Sequence, residues 1–231
     1  MKNVLPRILI LLVLSSIFIS CARREEPLKR LVANLAGAPE YSIILNDIKE
    51  EGMFSKSYYH KYKIVQGEKA YFSDWLMVSE NSYRENKNFL GMTLVSKTKD
   101  GQKSNSPYPP GYQYVGNKEY GQWRQDSRGN SFWEFYGKYA LFSSLFGFGN
   151  RSFYRNDYNN YRNYQSSNRP YFGRNNDYGT RGSHTKLTNP GFFERRMAKH
   201  RVSKSGFSNK VNKRFGGSRT TFGRGRGGFG K

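Results

Sequence analysis

Three groups of residues in this 231-residue chain have side chains able to do chemistry. The first is Cys21, the sole thiol, a sulfur nucleophile open to acylation or alkylation. The second is a set of cations near the C-terminus: Arg195, Arg196, Lys199, Arg201, Arg219, Arg224 and Arg226. Phe192, Phe193, Phe207 and Phe222 are interleaved with them. Guanidinium and ammonium groups neutralise anions, and flat rings stack on bases or enter a lipid interface. The third is His60, His184 and His200, whose ordinary pKa lies near neutrality. The histidines share no metal-ligand spacing, and no hydrolase, phosphate-loop or dinucleotide motif occurs. His60, beside Tyr59 and Lys61, reads as a surface residue, and Asp47, Glu50 and Glu51 read as a solvated acidic loop. No enzyme, metal or cofactor is expected.

The setting of Cys21 is that of an export signal. Lys2 and Arg7 open the chain, and Ile8 to Ile19 is apolar apart from Ser15 and Ser16. Charge returns abruptly at Arg23, Arg24, Glu25 and Glu26. A basic start, an apolar run of about 7–15 residues and a small residue at the cut suit secretion. The run is short of the roughly 20 residues of a membrane span. Phe18-Ile19-Ser20-Cys21 resembles the bacterial lipobox, with Phe18 where Leu is usual. The resemblance implies a diacylglyceryl group on Cys21, cleavage before it and fatty acylation of the new amino group. Residues 1–20 are then signal and 21–26 a lipidated tether. The chain is expected to be exported and anchored to a bacterial membrane. Ala22, a non-Asp residue, implies the outer membrane where there is one. An acylated Cys21 leaves no thiol for disulfides, metals or catalysis.

The formal net charge is +22, and residues 151–231 carry 19 Lys/Arg against 3 Asp/Glu. Such asymmetry predicts a basic tail that seeks an anionic partner. The 18 Tyr and 17 Phe exceed what plain disorder usually carries.

The expected class is α+β. Residues 27–100 read as a small helix-plus-antiparallel-sheet unit. Pro27 starts a helix whose Leu28, Leu31, Val32 and Leu35 share one face. Strands are predicted at 41–45, 58–65, 75–78 and 92–95. Residues 101–130, rich in Pro, Gly and Tyr, read as a linker. Residues 131–149 read as an aromatic helical segment, with Ser131 and Glu134 at capping-box spacing. Its Phe132, Trp133, Phe135, Phe142 and Phe146 would either pack on the sheet or lie at the membrane interface. Residues 150–231 are expected to be a disordered basic tail. The helix-like spacing of Tyr154, Tyr158, Tyr161 and Tyr164 is set aside there because Asn and Gly surround it. Asn189-Pro190 marks one short basic helix through Phe193, Met197 and Arg201.

Two resemblances concern the tail. Arg224 to Gly230 looks like the RGG segments of RNA-binding proteins. Phe132-Trp133, Tyr136-Gly137-Lys138-Tyr139 and Gly227-Gly228-Phe229-Gly230 resemble the layout of YgiB-type envelope proteins. That family implies no catalytic residue here. The sequence therefore predicts a non-enzymatic, membrane-anchored envelope lipoprotein whose basic aromatic tail contacts anionic lipid or polymer. The alternative is a nucleic-acid-binding protein whose N-terminus only imitates a signal.

Overall fold

The computed structural model describes residues 25–52, 55–139, 141–147 and 151–215. Helix α1 (Pro27–Asn34) starts on its proline, whose missing N–H is no loss at a first helical position. Leu28, Leu31 and Val32, with buried Leu35 behind them, face a six-stranded antiparallel sheet. Its strands are β1 (Tyr41–Glu51), β2 (Ser57–Gln66), β3 (Lys69–Phe72), β4 (Leu76–Val78), β5 (Thr93–Lys97) and β6 (Lys103–Ser104). The order is β3-β2-β1-β5-β6, and β4 also pairs with β2. Helix α2 (Glu80–Asn86) follows β4, its first turn capped by Ser79, whose Oγ accepts from Ser82 N at 3.1 Å.

Strand β1 gives the sheet two apolar faces. Tyr41, Ile43 and Leu45 join the core under α1, whereas Ile44 joins a second core on the opposite side. A register shift between Leu45 and Asp47 then returns Ile48 to the first face. The second core is almost wholly aromatic. It holds Tyr108, Tyr112, Tyr120, Trp133, Phe142 and Tyr161, and Val65 reaches it from β2. Strands β7 (Gly121–Gln125), β8 (Ser131–Phe135) and β9 (Phe153–Tyr154) form a three-stranded antiparallel sheet beside it. Helices α3 (Phe142–Phe146), α4 (Arg155–Ser166), α5 (Ser183–Thr188) and α6 (Pro190–Phe215) complete the described residues.

The class is α+β, as the sequence predicts, and the helix on an antiparallel sheet is present. Three local expectations differ. Residues 101–130 are not a linker. Tyr108, Tyr112, Tyr114 and Tyr120 are buried, and β7 lies in this stretch. Tyrosine can enter a core when its hydroxyl finds a partner. Tyr108 Oη lies 2.5 Å from Ser96 Oγ and donates to Gln113 Oε1 at 2.8 Å, while Tyr120 donates to buried Glu40 at 2.8 Å.

Residues 131–135 are a strand rather than the start of a helix. Cross-strand pairing of Trp123 with Trp133, ring centroids 5.1 Å apart, prevails over the capping-box spacing. Among the described residues of this segment, helix is confined to α3 and a 3-10 turn at Gly137–Tyr139. The third difference is that the basic region is folded over 153–215. Tyr158 and Tyr161 pack from one face of α4, and the Tyr161 ring lies 5.1 Å from both Tyr108 and Tyr112. The tyrosine spacing is therefore a real helical face. Its burial offsets the poor helix propensity of the Asn residues around it. Gly116, at φ +83°, lets Tyr158 approach its backbone, since a Cβ there would meet the Tyr158 hydroxyl at 2.7 Å.

Candidate functional site

The basic helix α6 is the first of two places where the fold gathers unpaired charge. The irregularity in β1 positions it. Asn189 Nδ2 donates to the Asn46 carbonyl at 2.6 Å, fixing the residue before Pro190. Arg195 then holds Asp47 at 2.5 Å and Lys199, one turn on, holds Glu50 at 2.5 Å. The Lys199 hydrogen bond holds the Glu50 carboxyl below its ordinary range, against the opposing effect of burial. Asp47 and Glu50 are thus strand residues engaged by α6, not loop. Among the described residues Arg196, Arg201, Lys204 and Lys210 are exposed and make no ion pair. Phe192 packs into the same core as Leu28, Leu31 and Val32 of α1. The base of α6 and the first helix after the tether therefore share one face of the sheet.

The predicted site residues fall into three sets. Arg195 and Lys199 dock the helix, while Arg196 and Arg201 face solvent. Trp133, Phe135, Phe142 and Phe146 pack in the aromatic core, whereas Phe132 is half-buried on the other face of β8, paired across the sheet with Arg124 and Tyr154. Trp133, Phe142 and Phe146 are buried there, so packing, and not the membrane interface, is what they do. Cys21, Arg219, Arg224, Arg226 and Phe222 lie outside the described residues, as does the side chain of Phe207.

The second place is a polar groove of about 980 Å³. It runs between the β7–β8 turn, the first turns of α4 and the loop after Tyr171. The turn is rigid: Asp126 Oδ1 accepts from the backbone N–H groups of Arg128 and Asn130 at 2.9 and 2.8 Å. Arg128, Arg155 and Arg174 line the groove without an ion pair among the described residues. Arg155 stacks on Trp123, its guanidinium carbon 3.8 Å from the ring centroid. Burial pushes the Asp157 carboxyl above its ordinary value, against the pull of Arg174. Asn175 holds a left-handed backbone at φ +58°, which Asn tolerates better than most residues. No family model, curated protein or solved structure matches the chain. Nothing in the sequence pointed to this groove, because its walls are separated by tens of residues.

The histidines differ from expectation. His60 is fully buried, not on the surface, because α2 and the residues before α1 cover β2 there. Its Nδ1 lies 2.9 Å from the Tyr62 hydroxyl, and its Nε2 has no hydrogen-bond partner among the described residues. Burial lowers its pKa to about 4, although the nearby Glu26 carboxylate pulls upward. His184 is buried on α5 beside Tyr178, and His200 is exposed on α6. Among the described residues no helix is long and apolar enough to cross a membrane.

Proposed function

We propose that this is a non-enzymatic envelope lipoprotein, anchored through a lipid on Cys21, whose basic helix contacts an anionic surface of lipid headgroups or cell-wall polymer. The observation that carries the reading is the placement of α6. From Cys21 to Glu26 the chain can span at most about 18 Å, so a lipid there would keep α1 near the membrane. The base of α6 packs in the same core as α1, and the 26-residue helix extends about 39 Å from it. Arg196, Arg201, Lys204 and Lys210 are exposed along it, and Met197 and Val202 are exposed among them.

Each cation near an anionic bilayer contributes about 1 kcal/mol or less. Several engaged together localise a helix that is already folded and docked. The test is sedimentation of residues 22–231 with phosphatidylglycerol vesicles across a salt series. Binding is expected at low salt, weakening steeply as screening shortens toward about 8 Å. Reversing Arg196, Arg201, Lys204 and Lys210 to Glu should abolish most of it. Equal binding by the reversed variant refutes the role of α6. Binding to single-stranded nucleic acid that survives salt sufficient to release vesicles would favour the nucleic-acid reading instead.

A further inference from the structure

We propose that the polar groove beside α4 is a binding site for an acidic oligosaccharide, a sugar chain carrying carboxylates. The inference rests on neither the lipid anchor nor α6, which lies elsewhere on the chain. The groove is polar and open rather than apolar and closed, which suits a hydroxyl-covered ligand better than a hydrophobic one. Arg155 and Arg174 supply forked donors that match a carboxylate, and neither is committed to an ion pair among the described residues. Stacking on Trp123 holds Arg155 in one orientation, so little side-chain freedom is lost when it binds.

Sugar hydroxyls are donors as well as acceptors, and the groove meets both needs. Asp157 is half-buried and makes no hydrogen bond among the described residues, so it stands ready to accept. The Asn160 amide, exposed one turn along α4, can donate and accept together. Tyr164, partly exposed on the groove wall, is held beside Tyr171 at 5.5 Å and under the Arg169 guanidinium, 5.0 Å from its ring centroid, so it gives the wall a fixed aromatic edge. A phosphodiester backbone is the weaker fit. It offers few donors to Asp157, whereas each uronate brings hydroxyl donors to that carboxylate together with its own charge for the arginines.

The experiment is a calorimetric titration of the full chain in detergent micelles with tetragalacturonate. Maltotetraose, inorganic phosphate and oligothymidylate are the comparison ligands. Tetragalacturonate should bind saturably and at least about tenfold more tightly than any of the three. Arg174→Gln should weaken it about tenfold or more, because a forked charge-assisted contact is lost. Asp157→Asn should weaken it severalfold, and Arg174→Lys should recover part of the loss. Arg174 is exposed and makes no ion pair among the described residues, so its variants should keep the wild-type circular dichroism. Equal binding of maltotetraose removes the need for charge and overturns the proposal. Equal binding of phosphate or oligothymidylate removes the need for sugar and overturns it too. An unchanged affinity in both Arg174→Gln and Asp157→Asn overturns the assignment to this groove. Loss of groove binding with vesicle adsorption intact, or the reverse, separates this inference from the role given to α6.

Discussion

Replacing His60 by Phe should flatten the dependence of stability on pH below neutrality. His60 is buried in its neutral form, with a pKa lowered by burial to about 4. In the unfolded chain the same ring titrates at about 6.5. The folded value is the depressed one, so the unfolded state takes up the proton first. Stability is therefore lost as pH falls from about 6.5 toward about 4. By linkage, the loss between about pH 7 and pH 5 is about 2 kcal/mol. That is a large share of a fold whose total is about 5–15 kcal/mol.

The groups around the ring are Tyr62 on the same strand, Tyr83 on α2 and Glu26 ahead of α1. Burial raises the Glu26 pKa, but hydrogen bonds from Ser79 and Ser82 outweigh it and keep the carboxyl below its ordinary value. Its own contribution is therefore lost at lower pH than the window used. His184, also lowered by burial, titrates alike in both proteins, so its contribution cancels in the comparison. Phe fills the ring's space and leaves the Tyr62 hydroxyl unpaired, a cost of about 1–3 kcal/mol at every pH. Urea titrations of wild type and His60→Phe at both pH values give the double difference. An equal slope in the two proteins refutes the buried neutral imidazole.

Two further outcomes follow from the packing. Tyr161→Ala should cost about 3–5 kcal/mol and expose residues 151–189 to protease, because the ring fills the space between Tyr108 and Tyr112. An unchanged urea midpoint and protease pattern would contradict the folded basic region. Asp47→Asn with Glu50→Gln should cost less than about 1 kcal/mol per ion pair, both being partly exposed, yet speed amide exchange at the base of α6. Unaltered exchange across residues 190–200 would show that other contacts hold the helix.

The sheet was legible because its strands carry the usual signals. Tyr41 to Leu45, Tyr62 and Ile64 are β-rich, and the turns between strands hold Gly. Pro27 and the apolar face behind it likewise announced α1. The aromatic core was not legible. Tyr108, Tyr112 and Tyr120 sit among Pro, Gly and Asn, which read as loop, and the hydroxyl partners of Tyr108 and Tyr120, Ser96 and Glu40, come from other segments. Helix α4 has low propensity and owes its existence to tertiary contacts of Tyr158 and Tyr161. His60 looked exposed because α2, the polar helix that helps cover it, has no apolar face to announce itself. The candidate sites split in the same way. The cations of α6 are visible as composition, but which of them dock and which stay free depends on a bulge in β1.

Whether the chain is tethered by lipid at Cys21 is decided by the mass of its N-terminal peptide. The chain would be expressed in a bacterium, recovered from membranes, digested and weighed. The expected peptide begins at Cys21 and carries a diacylglyceryl thioether on its sulfur. A membrane-derived chain that still begins at Met1, or one whose Cys21 remains a free thiol, would contradict the tether.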